Sequence, residues 1–330
     1  MKRKLFQTIA VALLLIAATS ACKKVPVSGV TLDSSLLLSV GQTTTLTPSI
    51  VPPDAHNQNV SWKSSDSNVA TVDNGKVTGK TTGKATITVT TEEGGRTAKC
   101  WVTVVQPIEP EMIKVEGGTF TMGCTAEQED DCFENETPSH KVTVSSFNIA
   151  KHTVTQKEWT AIMGVNPSYF MVLGDNIPVN RVSWDDAQNF ITKLNALTGK
   201  NYRLPTEAEW EFAARGGKKS EEYKYSGSND IDEVAWYSGN CSNGRIHPVG
   251  EKQPNELGIY DMSGNVWEWC SDWYGNYTND SQNNPAGSST GSAKVIRGGS
   301  SYCDASSVRV STRTSFSPFS VDIGFRLVHP

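Results

Sequence analysis

At 330 residues the chain is longer than a single hydrophobic core ordinarily organises, so two domains are expected. Its 30 basic and 35 acidic residues leave a net charge of −5, with no basic patch carrying interleaved aromatics, which argues against nucleic acid as a partner. Glycine and serine are abundant and sustained heptads absent, so β-rich and irregular structure is expected rather than a helical bundle.

Residues 1–22 read as an export signal. Lys2, Arg3 and Lys4 form a basic head, Leu5 to Ala18 an apolar stretch too short to span a bilayer permanently, and Thr19, Ser20 and Ala21 a small-residue cleavage zone. Cys22 follows directly, and T-S-A-C resembles the bacterial lipoprotein box, whose cysteine is diacylated after cleavage; Thr19 stands where that box usually has leucine. An ordinary signal peptide with an incidental cysteine is the alternative, and both readings send the chain out of the cytoplasm. The resemblance implies a mature N-terminus at Cys22, a lipid anchor in a membrane and a place in the bacterial cell envelope. Of the remaining cysteines, Cys124 and Cys132 close a short loop and form the expected disulfide, while the pairing of Cys100, Cys241, Cys270 and Cys303 stays open.

From Val25 to Val105, apolar residues alternate at Leu46 and Ile50, Val60 and Trp62, Ala70 and Val72, Ala85, Ile87 and Val89, then Cys100, Val102 and Val104. Turn residues at Pro52-Pro53-Asp54, Asn74-Gly75, Gly83 and Gly94-Gly95 punctuate them. About seven short strands at this spacing predict an immunoglobulin-like sandwich. The run from Ser64 to Val89, S-S-D-S-N-V-A-T-V-D-N-G-K-V-T-G-K-T-T-G-K-A-T-I-T-V, resembles the bacterial Ig-like domain, group 2. Adhesion and a spacer lifting the next domain off the membrane are the two roles open to it.

Gln106 to Glu111 is a proline-bearing linker, and a strand pair around Gly117-Gly118 is expected to open the second domain. Capping boxes place three helices: Thr155 with Glu158, Ser183 with Asp186, and Thr206 with Glu209, closed near Gly164, Gly199 and Gly216. These helices are expected to turn indoles inward and carboxylates outward. The acid-rich run from Glu127 to Glu136 reads as a solvated loop. Short strands are expected at Ile246 to Val249, Val295 to Arg297 and Phe325 to Val328.

The richest stretch is Leu257 to Tyr274, L-G-I-Y-D-M-S-G-N-V-W-E-W-C-S-D-W-Y. Its acids fall where either a helical or a strand period would want apolar groups, so irregular core backbone is expected. Asp261 and Glu268 flank the turn Met262 to Asn265. Their oxygens either converge with turn carbonyls on Ca²⁺ or accept backbone N–H bonds.

Y-D-M-S-G-N-V-W-E-W resembles the signature of the formylglycine-generating enzyme (sulfatase-modifying factor) family. The blocks V-T-Q-K-E-W at Val154, P-V-N-R-V-S-W at Pro178, Y-R-L-P-T-E-A-E-W-E at Tyr202, R-G-G-S at Arg297 and G-F-R-L-V at Gly324 occur in the family's order. The resemblance implies a multidomain chain: residues 1–22 the signal and Cys22, residues 23–107 an all-β immunoglobulin-like sandwich, residues 108–330 an α+β formylglycine-generating-enzyme fold, C-type-lectin-like and rich in irregular loops. It also implies Ca²⁺ held by side chains of Asp261 and Glu268 and carbonyls of Gly264 and Val266.

For chemistry, the family implies oxidation of a sulfatase cysteine to formylglycine with O₂ through a cysteine pair that holds Cu(I). Ser300 falls on its active-site serine and Cys303 on its first cysteine, Asp304 stands where histidine is common, and Val308 replaces the second cysteine. Valine cannot ligate copper, and one thiolate cannot form the linear pair that soft Cu(I) prefers. Cys303 is then a single-thiol catalyst, an inert buried thiol or, as the oxidising compartment favours, half of a disulfide with Cys241 or Cys270. The five histidines are scattered without metal-site spacing. Two functions remain: a non-catalytic lipoprotein binding a protein or glycan, and a formylglycine-generating oxidase working through Cys303.

Overall fold

The computed structural model describes residues 24–128, 131–169, 174–317 and 320–330, and Cys22 with the export signal lies outside them. The first domain has nine strands rather than seven: β1 (Gly29–Thr31), β2 (Ser35–Ser39), β3 (Thr43–Thr45), β4 (Ser49–Val51), β5 (Val60–Ser64), β6 (Ala70–Asp73), β7 (Lys76–Gly79), β8 (Gly83–Thr91) and β9 (Thr97–Val105). A four-stranded sheet ordered β2-β9-β8-β5 is accompanied by a three-stranded sheet β3-β7-β6, and β1 pairs with β4. Alternation along β8 and β9 buries Ala85, Ile87, Val102 and Val104 with Leu38 and Val77, as expected of a sandwich. β2 escapes that pattern because Leu36, Leu37 and Leu38 are all apolar. Leu38 enters the sandwich core, whereas Leu37 packs against the core of the second domain.

The second domain comprises β10 (Met112–Val115), β11 (Gly118–Met122), β12 (His140–Val144), β13 (Phe147–Ala150), α1 (Gln156–Met163), α2 (Trp184–Thr198), α3 (Glu207–Ala214), α4 (Ile231–Val234), β14 (Trp267–Trp273), β15 (Gln282–Asn283), β16 (Lys294–Arg297), β17 (Arg313–Phe316), β18 (Ile323–Gly324) and β19 (Val328–His329). Three small sheets run β10-β13-β19, β11-β12-β15 and β17-β16-β14-β18. The expected pair around Gly117-Gly118 does not form: β10 pairs with β13 and β11 with β12, so that turn carries the chain between sheets. Ile246 to Val249 is not a strand either. Ile246 is instead a buried plug against Ile177 and Val266.

All three capping boxes close as expected, and Gly164 and Gly199 end α1 and α2 in the left-handed conformation. The carboxylates do not all face outward. Glu158, Glu207 and Glu211 are buried, the last two because arginines from β16 and β17 come in to meet them. The acid run from Glu127 is only partly the solvated loop expected: Asp131 and Glu134 are exposed, whereas Glu136 is fully buried against Arg309, with Nη2 2.5 Å from Oε1.

In the richest stretch the backbone is irregular as expected from Leu257 to Val266, but from Trp267 to Trp273 it is β14, which corrects the expectation there. It is an inner strand whose two faces enter two different cores, Trp269 packing with α1 and α2, Cys270 with α3. A strand buried on both sides shows no apolar and polar alternation, and its acids are met by buried partners instead.

The two domains are fastened together. Leu37 and Val105 pack on the core around α2, and Gln42 Nε2 donates to Ala196 O at 2.8 Å. The linker is pinned as well: Glu109 takes Lys200 at 2.6 Å and the Tyr202 hydroxyl at 2.8 Å, and Glu111 takes Lys151.

Candidate functional site

Ser300, Cys303 and Val308 lie on the segment that leaves β16. Gly298 and Gly299 turn it with positive φ, and a Cβ on Gly299 would meet Val308 Cγ1 at 2.5 Å, so glycine is required for the close approach. Ser300 Oγ donates to Asp322 Oδ2 at 2.7 Å and lies 3.5 Å from Cys303 Sγ. Asp322 is held from its other oxygen by Ser320 Oγ at 2.6 Å. Asp304 caps a 3₁₀ turn over Ala305–Val308 by accepting from Ser307 N, and hydrogen bonds from Ser306 and Ser307 hold its carboxyl below the usual range.

Val308 is fully buried, in an apolar cluster with Tyr225, Val234 and Ala235 against which Cys303 packs. The disulfide expected for Cys303 is absent: Cys303, Cys241 and Cys270 are free thiols, and the one disulfide among the described residues is Cys124–Cys132. Burial pushes the Cys303 thiol up, with hydrogen bonding from Ser300 working against that. A raised thiol pKa means less thiolate at neutral pH and a weaker nucleophile or ligand. The residues present therefore do not fit a two-thiolate copper site.

At the Asp261 turn the two acids have separate roles. Asp261, at φ 59°, accepts from Gly250 N at 2.8 Å, and burial pushes its carboxyl up to about 6. Glu268 is bound by Arg326 in two contacts, at 2.6 and 2.7 Å, and also accepts from Trp210 Nε1 at 2.8 Å. Gly264 is required by space, since a Cβ would meet Trp236 O at 2.1 Å. No group of three or more His, Cys, Asp or Glu able to hold a metal occurs among the described residues. Calcium seeks about six to eight oxygens. Of the ligands the family resemblance implies, Asp261, the carbonyls of Gly264 and Val266, and Glu268, the last is already held by Arg326 through both oxygens, so the fit is partial.

The family model for the sulfatase-modifying factor enzyme 1-like domain matches residues 102–330. The chain belongs to the sulfatase-modifying factor family. Residues 26–102 match the bacterial Ig-like domain, group 2. A formylglycine-generating enzyme of Thermomonospora curvata is 30% identical over 297 residues, covering 67% of this chain and 94% of that protein. A protein of Paenibacillus barcinonensis named chaperone protein LppX is 37% identical over 216 residues, 51% of this chain and 73% of its own. Among solved structures, Treponema denticola variable protein 1 superposes with a TM-score of 0.58 at 31% identity, covering 66% of this chain and 94% of that one. PvdO from Pseudomonas aeruginosa does so with 0.58 at 28% identity, covering 67% and 94%.

Beside the thiol, the sulfatase-modifying factor domain opens a groove of about 800 Å³ whose walls include Trp267 and Ser307. Trp267 is shared between the two places, since its side chain also lies against Cys303. Sequence reasoning missed Asp322 and the groove wall at Phe133. Asp322 sits just before the G-F-R-L-V block and has no motif of its own, and Phe133 was hidden inside the acid-rich run.

Proposed function

We propose that this chain is a lipid-anchored protein of the bacterial cell envelope whose sulfatase-modifying-factor domain binds a protein or glycan rather than oxidising a cysteine. The observation that carries this reading is Val308, buried among Tyr225, Val234 and Ala235 where the family implies a second thiolate. Cys303 is left as one thiol with a raised pKa, beside a Ser300–Asp322 pair that contains no general base of histidine type. In this reading Ser300 and Asp322 hold the segment that leaves β16 and carries Cys303, and a calcium ion at the Asp261 turn stiffens the backbone entering β14. The anchor is the lipid on Cys22, and the first domain is the arm.

A formylglycine-generating oxidase is the second reading. It is favoured by Cys303 standing next to Ser300 and Trp267, and by the likeness to the Thermomonospora curvata enzyme. A cysteine-containing sulfatase peptide incubated with the protein, O₂ and Cu(I) separates the two. No formylglycine should form; turnover that disappears in Cys303→Ser would establish the oxidase.

A further inference from the structure

A groove of about 800 Å³ runs beside Trp267, between the turn at Phe133 and β17. Its lining contains three aromatic rings, Phe133, Trp267 and Tyr277, and is otherwise hydroxyl, amide or charged; no aliphatic side chain larger than threonine lines it. Grooves that take the aliphatic side chains of helical or extended peptides use apolar pockets, and a surface that captures unfolded polypeptide needs more apolar area still. Neither is present here.

Charge points the same way. Arg313 is neutralised by Glu207, with Nε 2.7 Å from Oε1 and Nη2 2.9 Å from Oε2, and its guanidinium lies between Tyr274 and Tyr277 at 4.6 and 4.0 Å from the ring centres. Glu134 is exposed and has no ion-pair partner among the described residues. The groove offers an anionic ligand no free cation.

The aromatic wall is also rigid. Phe133 follows the disulfide-bonded Cys132, and its N–H donates to Glu136 Oε1 at 3.3 Å, a carboxylate itself locked to Arg309. The buried Arg309 guanidinium lies 5.4 Å from the Phe133 ring centre and covers its inner face, while 41% of the residue remains exposed. Asn135, two residues on from Phe133, donates Nδ2 to Arg313 O, and its Oδ1 is closed off from solvent without a donor. Asn276 also lines the groove and is exposed. Fixed rings that cover the C–H face of a sugar, with amides and hydroxyls around them to meet its hydroxyls, are what a neutral saccharide requires.

We propose that the groove between Phe133 and Trp267 binds a neutral oligosaccharide, which gives the binding reading above its ligand class and rests on that reading. The test uses the full mature chain in native affinity electrophoresis through gels containing xylan, glucomannan, β-1,3-glucan or starch, with polygalacturonate as the acidic contrast and a reduced, carboxymethylated polypeptide titrated separately. Retardation is expected in at least one neutral gel, weakened roughly tenfold by Phe133→Ala and by Asn276→Ala, both exposed positions whose variants should fold. Migration unchanged in every neutral gel overturns the proposal, as does preference for polygalacturonate or for the polypeptide, or retardation that neither variant weakens. Peptide oxidation is assayed on the same preparation. Turnover there removes the non-catalytic reading whatever the gels show, whereas no turnover and no retardation removes only the sugar.

Discussion

Arg326 and Glu268 meet in the centre of the second domain with both side chains fully buried. The arginine also donates to Ala150 O and Tyr260 O, so one ion pair ties β14 to β13 and to the chain entering the Asp261 turn. Removing one partner of such a pair leaves an uncompensated charge, whereas removing both does not. Arg326→Met should therefore cost about 3–5 kcal/mol in urea denaturation, and Arg326→Met combined with Glu268→Leu distinctly less. Equal losses in the single and double variants would show that packing, not charge, decides.

Calcium at the neighbouring turn is expected to bind weakly, because Asp261 is the one carboxylate free to serve it. A dissociation constant of about 0.1–1 mM, the range of sites with few charged ligands, is the expectation. Adding Ca²⁺ to chelator-treated protein should raise the melting temperature, by the equivalent of about 2.7 kcal/mol at 100 Kd, and Asp261→Asn should not respond. A melting temperature indifferent to Ca²⁺ and EDTA would leave Asp261 as an acceptor for Gly250 N alone.

Asp272 predicts a pH dependence. Burial pushes its carboxyl from the ordinary 3.8 to about 7, with Glu207 adding repulsion. The folded state then holds a proton that the unfolded state has released, so this group's contribution is greatest below about 4 and is lost as pH rises to about 7. The loss is up to roughly 4 kcal/mol, at about 1.4 kcal/mol per pH unit. Asp272→Asn, which keeps an acceptor for Glu207 N, should gain on wild type between pH 5 and 7.5 as pH rises. A constant difference between the two proteins across that range would be the contrary result.

Cys303 should label slowly. Its thiol is pushed up by burial, and Cys100, Cys241 and Cys270 are more buried still. Mass spectrometry after brief treatment of native protein with iodoacetamide at pH 7 should find little modification, rising with pH and concentrated at Cys303. Rapid modification at neutral pH would mean an activated thiol and revive the oxidase.

Cys22→Ser should release the protein from membranes, since the anchor is proposed to be the lipid on that cysteine. A variant that remains entirely with the membrane fraction after a carbonate wash would place the anchor elsewhere.

What was legible in the sequence is what depends on near neighbours. The capping boxes at Thr155, Ser183 and Thr206 are local hydrogen-bond patterns and form as expected. The alternation of β8 and β9 is equally local. What stayed hidden is long-range: Glu136 finds Arg309 across 173 positions, and Glu207 finds Arg313 across 106. An acid about to be buried looks the same in sequence as one about to be solvated. β14 was obscured for a related reason, since a strand with a core on each side has no polar face to mark its period. At the candidate site, Ser300, Cys303 and Val308 were readable through family motifs, while Asp322 and Phe133 enter through tertiary packing.

The pairing of β2 with β9 bears on how the molecule would carry a load. The strands are parallel, in register from Ser35 opposite Trp101 to Ser39 opposite Val105. β2 lies near the N-terminal end, and β9 leads straight into the second domain. Tension between a tether at the N-terminus and a ligand held by the second domain would first load the short pair of β1 with β4 and, once that parted, pull β2 by its start and β9 by its finish, in opposite directions along a common axis. Hydrogen bonds across such a joint resist together in shear instead of opening one after another like a zip. The first domain would serve as a tension-bearing coupling between envelope and ligand, and the packing of Leu37 on the second domain would seat that joint against α2.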